Sequence, residues 1–240
     1  MVYNILFGSN NVIEKILLLS AFVFSVILAI CLHEVAHGFA AYKMGDDTAK
    51  VQGRLTMNPL SHFEPIGLVM FLLIGFGFAK PVPVNPFNFK DRRKGMLLVS
   101  FAGVLANLAQ TILFFGLMIA FSYALTIAII NASSRFLCYL LYFLFNFSVY
   151  ACLINAVLIA FNLLPIYPLD GFRVVETLTK ENVYVTFMRR YGQYILIGIV
   201  LIGFLFERLN MPQCNIFGQY LSLVQKGIIK LYDLIMEAIF

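Results

Sequence analysis

Long apolar runs separated by short polar segments dominate the chain, and most of them reach the roughly 20 residues that a membrane-spanning helix needs. The runs cover residues 16–42, 95–134, 136–169 and 191–206, of which the last is the shortest. Within the first run only Glu34 is charged. The pattern predicts an all-α polytopic membrane protein, a bundle of about 4–6 transmembrane helices.

The segments between and after these runs predict smaller elements. Residues 67–79 are apolar but number only 13, with three Gly, so they predict a re-entrant segment. Weak alternation over Val51–Thr56 predicts a short β-strand or hairpin near the site. The tail predicts an amphipathic helix over about 216–240, lying at the interface, packed on the bundle or crossing once more. We expect a single membrane-embedded domain over 1–240, with its core at about 13–206.

The composition supports a membrane location and the charges predict an orientation. Hydrophobic residues make up 61% of the chain and charged residues 12%, against about 25% charged in soluble domains. If the first span runs from outside to inside, the inner segments carry twelve Lys or Arg and the outer segments three. Such a bias marks the cytoplasmic side, so the basic residues predict a membrane topology and no nucleic-acid partner.

The first span contains the pattern H-E-x-x-H at residues 33–37. Four residues apart on a helix, His33 and His37 share one face and can bind one zinc ion, while Glu34 can act as base towards a water molecule. His33 lies about 26 Å along the helix from Ile16, which places the metal inside the inner leaflet. A Glu within a span is costly and is rarely present without a function.

A catalytic zinc usually has a third protein ligand, and Asp170 in NLLPIYPLDG is the best candidate. Pro165 and Pro168 predict a non-helical turn that can bring its carboxylate back to the bundle. If residues 67–79 enter the membrane and leave it on the side from which they entered, Asp170 lies on the same side of the membrane as His37. His62 is the alternative ligand, although a His at such a place more often binds a loop carbonyl. Asn107 predicts either a structural contact across helices or a functional role.

The motifs resemble the site-2 protease family of intramembrane zinc metallopeptidases (peptidase M50-type). HEVAHGFAAYKMG resembles the first family motif and NLLPIYPLDG the second, and GRLTMNPLSHFEPIG, AKPVPVNPFNF and AGVLANL resemble the connecting motifs. Val104 stands where the family often has Pro, and Glu64 where Asp is common. The length predicts the small form of the family, without a PDZ or CBS domain.

The resemblance implies one Zn²⁺ per chain on His33, His37 and Asp170, with Glu34 catalytic and Asn162 binding the substrate backbone. It implies hydrolysis of peptide bonds within or next to transmembrane segments of other membrane proteins. The expected location is a bacterial or archaeal cell membrane, in contact with lipid, with the active site towards the cytoplasm. The alternatives are a non-catalytic protein of the same fold and a metal-binding transporter. The substrate and the oligomeric state are left open.

Overall fold

The computed structural model describes residues 12–62, 64, 80–179 and 181–239, and within these ranges the chain forms seven α-helices and no β-strand. In chain order they are α1 (Val12–Lys43), α2 (Thr48–Val51), α3 (Arg92–Ile130), α4 (Arg135–Asn162), α5 (Asp170–Leu178), α6 (Val183–Arg208) and α7 (Ile216–Ile239). Helices α1, α3, α4 and α6 are long and apolar enough to cross a membrane. The predicted all-α polytopic fold is confirmed.

Helices α1, α3 and α4 pack together as the core of the bundle. The ring centroids of Phe22 in α1 and Tyr150 in α4 lie 5.7 Å apart, edge to face. The Ser25 hydroxyl donates to the carbonyl of Phe147 at 3.0 Å. Between α3 and α4, the Cys152 thiol contacts the Thr111 carbonyl at 3.6 Å. Helices α1 and α4 run in one direction and α3 against them, because His37 near the end of α1 contacts both Val99 near the start of α3 and Asp170 after the end of α4.

Polar side chains and proline determine where the spans begin and end. Asn182 accepts a hydrogen bond from the Val185 N–H at 2.9 Å, so α6 begins eight residues before the predicted span at 191. A capping side chain of this kind satisfies one of the free N–H groups at a helix start. Helix α4 ends at Asn162, earlier than predicted, because Pro165 cannot continue the helical hydrogen bonding.

The predicted strand over Val51–Thr56 is wrong. Val51 ends the short helix α2, and Gly53 turns the chain with a φ of +65°. The N–H of Arg54 then donates back to the Ala49 carbonyl at 2.8 Å. The backbone groups that an edge strand would offer are therefore used within this turn. The predicted re-entrant segment at 67–79 lies outside the described residues.

The C-terminal helix α7 packs along the bundle, which is one of the three placements considered from the sequence. Near its start, the Tyr220 hydroxyl donates to the Ala160 carbonyl at 3.1 Å, at the end of α4 where the chain turns towards Asp170. Farther along, the Tyr232 ring lies 6.5 Å from that of Phe145, near the other end of α4. Helix α7 therefore runs antiparallel to α4 over most of its length.

A buried carboxylate joins the end of α1 to the loop that precedes α3. The Asp46 carboxylate accepts hydrogen bonds from the N–H and hydroxyl of Thr48, from the Asn85 N–H at 2.7 Å and from the Asn88 amide at 2.7 Å. Burial raises the pKa of Asp46, but these hydrogen bonds outweigh burial and hold its pKa below the ordinary value. Asp46 thereby ties residues 85–88 to the helix that carries the two His.

We expect Asp46→Asn to lower the free energy of unfolding by about 1–3 kcal/mol, because the new amide turns a donor towards an N–H that has lost its acceptor. The folded-state pKa is lowered, so the stabilisation is present above the ordinary Asp pKa of about 4 and is lost as pH falls through the lowered value. Thermal unfolding of both proteins across that range measures this difference. The exposed neighbour Asp47, changed to Asn, is the control. Identical pH profiles for wild type and Asp46→Asn would contradict the prediction.

Candidate metal centre

Three potential metal ligands converge at one end of the bundle. His33 and His37 lie one turn apart on α1, with their Nε2 atoms 3.0 Å apart. The Oδ2 atom of Asp170 lies 3.4 Å from Nε2 of His33 and 3.2 Å from Nε2 of His37. All three side chains are buried and form the one group of potential metal ligands found among the described residues.

Asp170 reaches this point through the turn at residues 163–169, which links α4 to α5. Pro165 lies at the start of this turn, and the Tyr184 hydroxyl from α6 donates to its carbonyl. Gly171 packs directly beneath the end of α4, where a Cβ would overlap the Leu163 carbonyl. The turn therefore positions Asp170, the first residue of α5, next to α1.

The spacing of the three ligand atoms fits one face of a zinc coordination tetrahedron. Zinc–nitrogen and zinc–oxygen bonds of about 2.0–2.1 Å at the tetrahedral angle separate neighbouring ligand atoms by about 3.3 Å. The observed separations are 3.0, 3.2 and 3.4 Å. The residues present therefore fit the metal.

The hydrogen bonding of His37 also fits a cation. Its Nδ1 lies 2.7 Å from the Val99 carbonyl, which can only accept, so Nδ1 carries the hydrogen and Nε2 of the neutral ring presents a lone pair. That lone pair faces a second imidazole nitrogen and the Asp170 carboxylate. Burial raises the pKa of Asp170, but the two imidazoles outweigh it and hold its pKa below the ordinary value. An ionised carboxylate and two imidazoles at this spacing form a site for a divalent cation.

Glu34 lies beside the three ligands and is held by the loop at 80–84. Its Oε2 accepts a hydrogen bond from the Val82 N–H at 2.9 Å. The other carboxylate oxygen, Oε1, takes no part in that bond. The loop is held in turn by the Arg54 guanidinium, which donates to the carbonyls of Lys80 at 2.7 Å and Pro81 at 3.2 Å. The carboxylate of Glu34 is therefore oriented by the main chain.

A cavity of about 110 Å³ contains these groups. Its lining includes His33, Glu34, His37, Asp170, Pro81, Val82, Val84, Asn162, Pro168, Leu169 and Arg173. Asn162 thus lies at the predicted place, where its amide donates to the Leu158 carbonyl at 3.0 Å. His62 lies elsewhere, fully buried with Nε2 2.7 Å from the Thr56 carbonyl, as expected for a His that binds a loop carbonyl.

Two neighbours of the cavity were not predicted from the sequence. Arg173 is part of the cavity lining, and its position three residues after Asp170 on one helix face was the available signal. The Val82 N–H left no signal, since a main-chain donor looks the same at every non-proline residue.

Comparison with known proteins agrees with the geometry. The chain is 38% identical over 182 residues to a protein of Bacillus subtilis (strain 168) named "Putative zinc metalloprotease YwhC", covering 75% of this chain and 78% of that protein. Over 155 residues it is 30% identical to the Mycolicibacterium smegmatis protein named "Putative zinc metalloprotease Rip2", covering 62% of this chain and 54% of that relative. A Rip2 of Mycobacterium tuberculosis (strain H37Rv) is also 30% identical, over 159 residues and 54% of its length. No solved structure matches the chain significantly.

The profile of peptidase family M50 matches residues 21–205, a range that begins within α1 and includes the two His, Glu34 and Asp170. The match covers well over half of the chain, and it confirms the resemblance to site-2 proteases drawn from the motifs. This chain belongs to peptidase family M50.

Proposed function

We propose that the chain is an intramembrane zinc metallopeptidase that hydrolyses peptide bonds within or next to the transmembrane segments of other membrane proteins. The observation that carries this proposal is the triangle of Nε2, Nε2 and Oδ2 atoms, spaced 3.0–3.4 Å apart beside the Glu34 carboxylate. The relatives named as zinc metalloproteases support zinc as the metal. When bound, zinc polarises the scissile carbonyl and activates water for attack.

The residues of the chain perform the remaining tasks. Glu34, oriented by the Val82 N–H, takes a proton from the attacking water and passes it to the leaving amine. The amide of Asn162 lies at the cavity wall, where its remaining N–H and its oxygen can bind the peptide main chain of the substrate. Arg173 adds a positive charge to the same wall. A helical substrate has to unwind locally, because its main-chain groups are otherwise internally hydrogen-bonded.

The proposed location of the site is the cytoplasmic side of the membrane. The His pair lies near the C-terminal end of α1, and the turn leading to Asp170 follows the C-terminal end of α4. Basic residues at and near the starts of α3 and α6 lie at this same end, at positions 90, 92–94 and 189–190. An excess of Lys and Arg marks the cytoplasmic side of membrane proteins and supports this orientation.

Asp170→Ala tests the proposal through the metal. We expect the purified wild type in detergent to bind about one zinc and to cleave a model single-span membrane protein, and we expect a chelator to stop the cleavage. Asp170→Ala should lose most of the zinc and the cleavage, because two His on one helix remain as the only ligands. Asp47→Ala removes an exposed carboxylate and should behave as the wild type. Stoichiometric zinc in Asp170→Ala would contradict the ligand set, and a zinc-free wild type would overturn the proposed function.

A further inference from the structure

Three amide side chains in the centre of the bundle are buried with polar atoms that no group of the described chain satisfies. Asn107 and Asn155 are fully buried and Gln110 is 6% exposed. Neither polar atom of Asn107 or Gln110 has a hydrogen-bond partner among the described residues. The amide nitrogen of Asn155 donates to the Ala151 carbonyl at 2.8 Å, but its Oδ1 has none. Buried polar atoms are nearly always satisfied by protein or by ordered water, so these atoms point to a bound molecule.

Cross-helix contacts place Asn107 and Asn155 at one height in the bundle, within about one helical turn of the metal ligand His33. Thr111 of α3 contacts Cys152 of the antiparallel α4. Asn107 precedes Thr111 by four residues and Asn155 follows Cys152 by three, so they lie about 6 Å and about 4.5 Å from that contact towards the metal centre. The two amides are therefore level with each other.

The second contact relates Asn155 to the metal ligand. Ser25 of α1 contacts Phe147 of α4, and these two helices run in the same direction. By this contact Asn155 is level with His33, since each follows its contact residue by eight positions. By the contact of Phe22 with Tyr150 it is level with residue 27, so Asn155 lies between the level of His33 and a point six residues before it. Gly103, one turn before Asn107 on the same face of α3, packs on the His33 ring. The amide pair thus lies about one turn, roughly 5–6 Å, from the level of the His33 ring.

The His33 ring has an unsatisfied atom as well. Its Nδ1 is buried without a partner, whereas Nδ1 of His37 is held by the Val99 carbonyl. A His that binds metal through Nε2 carries its hydrogen on Nδ1 and almost always donates that hydrogen to an acceptor. The Oδ1 atoms of Asn107 and Asn155 are unpaired acceptors within about one turn of this ring. The third unpaired amide acceptor, Oε1 of Gln110, lies three residues beyond Asn107 on α3 and so farther from Gly103 and the ring.

We propose that Asn107 and Asn155 hold a buried water molecule that accepts the Nδ1 hydrogen of His33 and donates to the two amide oxygens. Three hydrogen bonds are typical of a buried water, and this arrangement satisfies three of the orphaned atoms at once. Asn107 and Asn155 are then positioning residues, which fix the ring of one metal ligand through the water. The inference rests on the proposed function, because it requires that His33 bind zinc through Nε2.

Asn107→Leu and Asn155→Leu test the inference through zinc affinity, measured by competition with a chromogenic chelator. We expect each variant to bind zinc about 10–100-fold more weakly, because the His33 ring loses its support. The thermal midpoint of the metal-free protein should stay level or rise, since each variant removes orphaned polar atoms from the interior. The zinc affinity of the double variant should equal that of the single variant with the lower affinity, because both changes remove the same water. Additive losses would therefore contradict a shared water.

Ser148→Ala is the matched control, since its buried hydroxyl bonds only to the Leu144 carbonyl of its own helix. It should keep wild-type zinc affinity. If a leucine variant does not fold, Asn155→Ser replaces it, because a serine there can bond to the Ala151 carbonyl while losing its reach to the water. Wild-type zinc affinity in the asparagine variants would overturn this inference alone. Failure of the wild type to bind zinc would overturn the proposed function and the inference with it.

Discussion

Replacing Glu34 by Gln should lower the cleavage rate of a membrane substrate by about 100- to 10,000-fold, the range usual for loss of a general acid–base group. The amide is the same size as the carboxylate and its oxygen can still accept the Val82 N–H, so the loop at 80–84 should stay in place. An amide cannot take a proton from water at neutral pH. The loss should therefore appear in the turnover number, with zinc content and thermal stability close to those of the wild type.

Single-turnover cleavage with zinc analysis of the same preparation measures this effect. Glu237→Gln is the matched control, because Glu237 is exposed on α7 and lies away from the cavity. Equal cleavage by the wild type and Glu34→Gln would contradict the assignment of Glu34 as the base. Bound zinc without cleavage in the wild type as well would instead favour a non-catalytic member of the fold.

Adding one methyl group at Gly103 should greatly weaken zinc binding. A Cβ built there lies 2.5 Å from Cε1 of His33 and 2.5 Å from Nε2 of His37, well inside van der Waals contact. Neither ring can retreat freely, because α1 fixes both backbones and the Val99 carbonyl holds the ring of His37. We expect Gly103→Ala to weaken zinc binding by more than about 100-fold, at or beyond the range seen when ligand-supporting groups are lost.

Gly116→Ala on the same helix provides the comparison. No atom lies within 4 Å of a Cβ at Gly116, so the substitution changes only the helix propensity. It should leave zinc affinity unchanged and raise stability by up to about 1 kcal/mol. Zinc bound with wild-type affinity by Gly103→Ala would show that the two His do not occupy the observed arrangement when the metal is present.

The sequence predicted those features that depend on spacing along one element. Four apolar runs became helices, and the interval of four between His33 and His37 placed both rings on one face. The position of Asp170 was predictable in outline, because two antiparallel spans bring the chain back to its starting side. Its distance to the His pair was not, since that depends on how the turn at 163–169 packs under α4.

Features that depend on main-chain contacts between distant segments could not be predicted from the sequence. The strand expected at Val51–Thr56 rested on weak alternation, and the helical turn that precedes Gly53 has no requirement for alternating polarity. The bond from the Val82 N–H to Glu34 joins residues 48 apart, and nothing in either local sequence marks it. The sequence does not distinguish Gly103 from any other Gly in an apolar span. Its role becomes visible only when the two His rings are seen to pack against it.

The division of the ligands between one helix and one turn has a mechanical consequence. His33 and His37 share a rigid rod, so their spacing survives whenever α1 is helical. Asp170 is 133 positions farther along the chain than His37 and depends on the docking of the turn that follows α4. An ion held by all three acts as a removable crosslink between the first span and the end of the third. The affinity for the ion therefore depends on how the helices pack together. A measurement of helical content alone would not detect a change in that packing.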